Sequence, residues 1–246
     1  MLEAIVFDFD GLIVDTEWPE YHSIAEIFAQ HGLAYPPQRW VHVIGTSWDV
    51  DWLAELEADL GHGVDRVALA EARTAAKRAM REGMRPLPGV EALLEQAEAA
   101  GLGLAVASSS SRSWVEGQLD ALGLLGRFAL TRCLDDVTHA KPAPELYLAA
   151  CAGLGVDPAA AVALEDSANG TTAAKAAGMA CVAVPNRLTA LLDLSHADLV
   201  VPSLAEIALD DLRRVVAAAA AADRAAADGA PGGGDRMTSD EARTTR

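Results

Sequence analysis

Cysteine is scarce and unpatterned, with Cys133, Cys151 and Cys181 the three in 246 residues. An odd number leaves at least one thiol unpaired, and no CxxC or other zinc spacing occurs, so a disulfide framework and a structural zinc site are excluded and a reducing cytoplasm fits. Basic residues are also few. Lys and Arg total 19 against 36 Asp and Glu, a formal net charge of −17 that repels nucleic acid and anionic membrane. An anionic substrate would therefore need its own local cations. There is no uninterrupted apolar run of about 18 residues, and no basic segment followed by an apolar stretch at the start, so neither a membrane span nor a secretory leader is expected. The six histidines show no HxxxH or similar ligand spacing. With about half its residues hydrophobic, the chain can bury a real core. The expectation is a soluble, monomeric cytoplasmic protein that binds neither nucleic acid nor membrane.

What the chain does have is an apolar run, AIVFD at residues 4–8, that ends in two acids one residue apart and then a glycine, FDFDG at 7–11. An ionised carboxylate taken out of water without a partner costs several kcal/mol. Something must compensate Asp8 and Asp10. A calcium-binding EF-hand loop does not fit, because the glycine follows the second acid, Leu12 stands where an oxygen ligand is needed, and a strand precedes it.

From 16 to 85 the periodicity is helical: Tyr21, Ile24, Ala25 and Phe28 recur at three and four residues, as do Leu53, Leu56 and Leu60. RPLPG at 85–89 closes this stretch. After it, short apolar strands (102–108, 128–131, 161–165, 181–185) alternate with helices (89–100, one opening at Ser113 with Glu116 completing a capping box, 143–152, 171–177). This alternation predicts an α/β fold, a Rossmann-like parallel sheet core formed by 1–15 and 86–216, with an inserted α-helical cap domain at 16–85. A last element starts at Ser203, with Glu206 making a second capping box, and runs into six alanines at 217–222. The Ala- and Gly-rich tail, 217–246, is expected to lose order beyond Asp228.

Ligands of such sheets sit at the carboxyl ends of the strands. Four segments put polar groups there: Asp8 and Asp10, Ser108 in AVASSSS, Lys141 in HAKPAPE, and Glu165 and Asp166 in AVALEDSANG. Carboxylates gathered at one rim repel one another unless a cation sits among them, and an all-oxygen cluster suits Mg2+. Such an ion would let a carboxylate attack a phosphate despite their like charges. Lys141 can hold the nucleophile and neutralise phosphate oxygens, Ser108 and the amides after it can bind the remaining oxygens at a helix amino terminus, and Asp10 can exchange a proton with the leaving group and with water.

These four motifs, in this order and spacing, resemble the haloacid dehalogenase-like superfamily, in the branch with a helical cap after the first strand that contains sugar-phosphate phosphatases and β-phosphoglucomutases. The resemblance spans roughly residues 3 to 210. It implies that Asp8 is the nucleophile forming an aspartyl-phosphate, that Asp10 is the general acid/base, and that Lys141 supports them. It further implies that Asp8, Asp166 and the main-chain carbonyl of Asp10 ligate Mg2+, with Glu165 in direct contact or one layer behind. Thr16, Ser108, Ser109, His22 and Trp48 are the candidate substrate contacts. The residue before Lys141 is Ala140 where glycine is usual, which bears on the loop and not on the chemistry. The expected activity is Mg2+-dependent hydrolysis of a small phosphorylated metabolite. The alternatives are a β-phosphoglucomutase-type phosphomutase and a catalytically silent binding protein. Dehalogenation is disfavoured, since those enzymes need no Mg2+ and generally lack the second acid. In the mutases an arginine shortly after the glycine of a cap segment like IGTSWDVDW holds the distal phosphate. Trp48 stands near that place here, and Arg39, Arg73 or Lys77 would have to supply the charge from another helix.

Overall fold

The computed structural model describes residues 1–46 and 50–228. Its strands are β1 (Ala4–Phe7), β2 (Gly103–Ala107), β3 (Leu130–Arg132), β4 (Ala161–Glu165), β5 (Ala180–Ala183) and β6 (Leu199–Val200). They form one sheet in the order β3-β2-β1-β4-β5-β6, every pairing parallel. β1 is wholly buried, as its apolar run requires, and lies between β2 and β4 with Phe7 opposite Val106 and Leu164.

The two faces of the sheet differ in side-chain size. Ile5, Phe7, Leu104, Val106, Val162 and Leu164 point to one side, where they pack on α4 (Val90–Ala99), α5 (Arg112–Ala121) and α8 (Leu209–Asp228). The alternate residues, Ala4, Val6, Ala105, Ala107, Ala161 and Ala163, face α6 (Glu145–Leu154) and α7 (Ala168–Ala176). That division follows from the period of two along a strand. Each large side chain so buried contributes about 1.5–3 kcal/mol.

Between β1 and α4 lie α1 (Glu17–Gln30), α2 (Trp52–Leu60) and α3 (Arg66–Arg81). They have their own apolar cluster, with Ile24, Phe28, Trp40, Ile44 and Leu56 at its centre. The chain enters and leaves this insert side by side, since Leu87 N donates to Ile13 O at 2.8 Å.

Several elements differ from the sequence expectation. α5 begins at Arg112, and Ser113 caps nothing: its hydroxyl meets Ser111, while Glu116 is held by Arg112 and Thr131. Ser203 caps a single turn, Leu204–Glu206, through Ala205 N, and the long helix starts later, at Leu209. α8 then continues through the alanines to Asp228, with Ala219 packed on the core. Residues 217–228 are thus helical, with Ala217, Ala218, Ala221 and Ala222 exposed, and the expected loss of order beyond Asp228 falls outside the described residues. No helix among the described residues is long and apolar enough to cross a membrane.

Candidate active site

From β1 the chain builds one half of the sheet, through β2 and β3, and then returns to build the other from β4. The crevice at the carboxyl ends of β1 and β4 is therefore the point where strand order reverses, the expected ligand position in an open α/β sheet. Asp8 follows β1 directly, its amide bonded to Leu164 O at 2.9 Å, and Glu165 and Asp166 stand at the end of β4. Lys141, from the loop before α6, reaches in beneath them. Its Nζ lies 2.5 Å from Asp8 Oδ1 and 2.6 Å from Glu165 Oε1. All four side chains are buried.

Asp10 sits on a tight turn closed by Gly11 N to Val14 O at 2.8 Å. Gly11 has φ +84°, and a Cβ there would lie 2.2 Å from Asp166 Oδ2. Glycine is thus required twice, for the left-handed backbone and for the approach of Asp166. The Asp10 carboxyl accepts from Thr16 Oγ1 (2.8 Å) and Trp114 Nε1 (3.0 Å) on Oδ1, and from Ser110 Oγ (2.6 Å) and Ser108 Oγ (3.4 Å) on Oδ2. It lines a cavity of about 500 Å³ bounded also by Thr16, Glu17, Glu20, Ser109 and Trp114. Core and insert meet at its rim, where Ser109 Oγ donates to Gly45 O (3.0 Å) and Asn169 Nδ2 to Ile44 O (2.9 Å).

A family model described as haloacid dehalogenase-like hydrolase matches residues 5–184, a span that includes every one of these core groups. The chain belongs to that family. YhcW of Bacillus subtilis (strain 168) is 44% identical over 209 residues, covering 85% of this chain and 95% of its own. The fructose-1-phosphate phosphatase YqaB of Escherichia coli (strain K12) is 35% identical over 185 residues, covering 74% of this chain and 95% of its own. A crystal structure of a CbbY mutant from Rhodobacter sphaeroides in complex with xylulose-(1,5)bisphosphate has a TM-score of 0.68 at 31% identity, covering 86% of this chain and 99% of that one.

The acids of this haloacid dehalogenase-like hydrolase fit a divalent cation. Asp8, Glu165 and Asp166 each bring a carboxylate oxygen within 4.8 Å of the others. Asp166 Oδ2 accepts from Asn186 Nδ2 at 2.7 Å, but Oδ1 is buried with no hydrogen-bond partner among the described residues. A buried orphan oxygen is expensive unless something fills its lone pairs. Glu165 is different. Its Oε1 takes Lys141 and the Tyr147 hydroxyl (2.6 Å), and its Oε2 takes the amides of Asp166 and Ser167 and the Ser167 hydroxyl. With both oxygens engaged, it holds Lys141 rather than facing an open coordination position.

Burial raises Asp8 to about 8, helped by the charges of Glu165 and Asp10 and opposed by Lys141. Burial likewise pushes Asp166 well above the ordinary carboxylate range, and the charges of Asp8 and Glu165 add to it. At Lys141 burial works against the ammonium, but Asp8 and Glu165 outweigh it and hold the group charged. One cation among three buried acids leaves a net negative site, which favours protonation or a metal.

Among the expected substrate contacts, Thr16 and Ser108 bond to Asp10, and Ser109 bonds to the insert. His22 does not line the cavity. It stacks on Trp18, ring centroids 4.9 Å apart, and faces Glu26 one turn along α1 at 3.4 Å. Trp48 lies outside the described residues. The sequence reasoning missed Tyr147, Asn186, Ser110, Trp114, Glu17 and Glu20. Asn186 was findable, because it lies just beyond the carboxyl end of β5.

Proposed function

We propose that this chain is a Mg2+-dependent phosphatase that hydrolyses a small phosphomonoester, a sugar phosphate, through an aspartyl-phosphate on Asp8. The observation that carries the reading is the division of labour between two acids two residues apart: Asp8, buried against an ammonium at 2.5 Å, and Asp10, on the cavity wall with four donors. The family assignment supports hydrolysis. YqaB, named for fructose 1-phosphate, and CbbY, seen with a sugar bisphosphate, support the substrate class.

In the first step an Asp8 oxygen bonds to phosphorus while the ester bond breaks and Asp10 gives its proton to the leaving oxygen. In the second, Asp10 takes a proton from water as the water oxygen bonds to phosphorus, and the Asp8–phosphorus bond breaks to release inorganic phosphate. Lys141, fixed by Glu165 and Tyr147, holds Asp8 in place and meets the negative phosphoryl oxygens. Three of the donors to Asp10 are hydroxyls that rotate, so the carboxyl keeps partners in both protonation states. Asp8, Asp166 and the main-chain carbonyl of Asp10 would hold Mg2+, which when bound lowers the repulsion between carboxylate and phosphate.

The mutase reading has less support. Arg39 is engaged with Asp59 at 2.7 Å and Arg73 and Lys77 with Glu20, and none of the three lines the cavity; Arg81 does, but it is paired with Glu20. The test is a phosphate-release screen over phosphorylated metabolites with and without Mg2+. Asp8→Asn should lower kcat more than about a hundredfold with the fold intact, since an amide cannot form the acyl-phosphate. Isomerisation of β-glucose 1-phosphate with catalytic glucose 1,6-bisphosphate outrunning hydrolysis by about tenfold would overturn the phosphatase in favour of the mutase.

A further inference from the structure

Three of the four groups bonded to the Asp10 carboxyl are hydroxyls, from Thr16, Ser108 and Ser110. A hydroxyl turns its proton to follow an acceptor, and the terminal torsion of an aspartate is broad. These three can satisfy the carboxyl without fixing its plane. The fourth donor is rigid. Trp114 sits in the first turn of α5, and its indole Nε1 donates to Asp10 Oδ1 at 3.0 Å in a direction set by the ring.

That ring is itself held from the other side of the cavity. Arg81, the last residue of α3 in the helical insert, lies with its guanidinium carbon 4.4 Å from the Trp114 ring centroid. Its Nη2 is bonded to Glu20 Oε1 at 2.5 Å, and its Nε is buried with no hydrogen-bond partner among the described residues. Arg81 thus holds its guanidinium over the indole while its Nε goes unpartnered. Its position serves the ring, and the cation–π attraction to a partly desolvated indole offsets the loss.

We propose that Trp114 is a positioning residue for Asp10, and that Arg81 clamps the indole from the insert, so that the acid is aligned when α3 covers the cavity. The proposal rests on the phosphatase reading, and the consequence is specific to proton transfer. As the ester bond breaks, the proton on Asp10 passes to the leaving oxygen. A nitrophenolate departs without it, whereas the more basic phenolate departs faster with it. Misalignment of Asp10 should therefore penalise the poorer leaving group more.

The experiment compares kcat and KM of the full chain with Mg2+ on p-nitrophenyl phosphate and on phenyl phosphate, for wild type, Trp114→Phe and Arg81→Met. Trp114→Phe keeps an apolar ring and removes the N–H. Because release of phosphate from Asp8 is common to both esters, the readout is kcat/KM, which reports the first step: its ratio, nitrophenyl ester to phenyl ester, should rise at least about tenfold, within the range that general acid catalysis supplies. Arg81→Met should shift the ratio the same way by a smaller factor. Loss of kcat/KM of equal size on both esters in both variants would reduce Trp114 and Arg81 to packing and overturn the proposal alone. A wild-type protein that releases phosphate from neither ester would overturn the phosphatase reading, and this proposal with it.

Discussion

Glu165 is buried and Glu17 half-buried, and their partners differ. Glu165 has five donors on its two oxygens, whereas Glu17, on the cavity wall, has among the described residues a single long bond from Trp40 Nε1 at 3.4 Å. Burial, with the charge of Asp10 nearby, raises Glu17 to about 8. The sign of the consequence follows from proton counts. Between the ordinary value of 4.5 and about 8 the folded protein keeps a proton that the unfolded chain has lost, so stability falls as pH rises through that window. Glu17→Gln removes the titrating group and should flatten that slope. In EDTA its Tm should match wild type near about pH 5 and exceed it by roughly 2–4 °C near about pH 8, a difference worth about 1 kcal/mol. A gain of the same size at both pH values would assign the effect to packing. Glu165 was legible as a site residue at a strand end, but Glu17 was not, because an acid in the first turn of a helix is ordinary until the fold shows what surrounds it.

At the scale of elements, α1 and α3 are joined by one carboxylate and three cations. Glu20 receives Arg73 (2.6 Å), Lys77 (2.9 Å) and Arg81 (2.5 Å), which recur one turn apart along α3. Without Glu20 those three cations would repel one another on one helix face. Glu20→Gln should lower Tm by about 2–4 °C, as expected for roughly 1 kcal/mol from partly exposed pairs, and about 1 M salt should remove most of the deficit by screening. A deficit that salt leaves untouched would point to lost packing. The elements themselves were largely legible, because strands with a period of two and helices with a period of 3.6 alternate clearly after residue 89. β6 was not. It has two residues, Leu199–Val200, neither of them buried, so there was no pattern to read. The starts of α5 and α8 were misread, since a Ser followed three residues later by Glu is a local signal that Arg112 and Asp211 override with bonds to Asp136 and to Ala208 N. Residues set just after a strand were predictable as site residues because topology brings strand ends together. Trp114 and Tyr147 lie within helices, where only the packing decides which way they point.

For the whole molecule the excess of acid is a folding problem as well as a matter of solubility. Of 36 Asp and Glu, Asp8, Glu165 and Asp166 are buried at one rim, and the Asp166 carboxyl keeps a fully buried oxygen without a hydrogen-bond partner among the described residues. A ligand that binds the folded chain and not the unfolded one stabilises by RT ln(1 + [L]/Kd), about 2.7 kcal/mol at a hundredfold excess over Kd. For a chain of this size that is a Tm rise of roughly 5–10 °C. Saturating Mg2+ should produce it relative to EDTA, with no substrate present. Asp166→Asn should abolish most of the rise. It should also make the metal-free protein no less stable than wild type, because the amide removes one of the repelling charges and keeps an oxygen for Asn186. The measurement is a pair of thermal melts for each protein, in EDTA and in Mg2+. A full Mg2+-dependent rise in Asp166→Asn would remove that carboxylate from the metal site, and no rise in the wild type would refute the cation site as a whole.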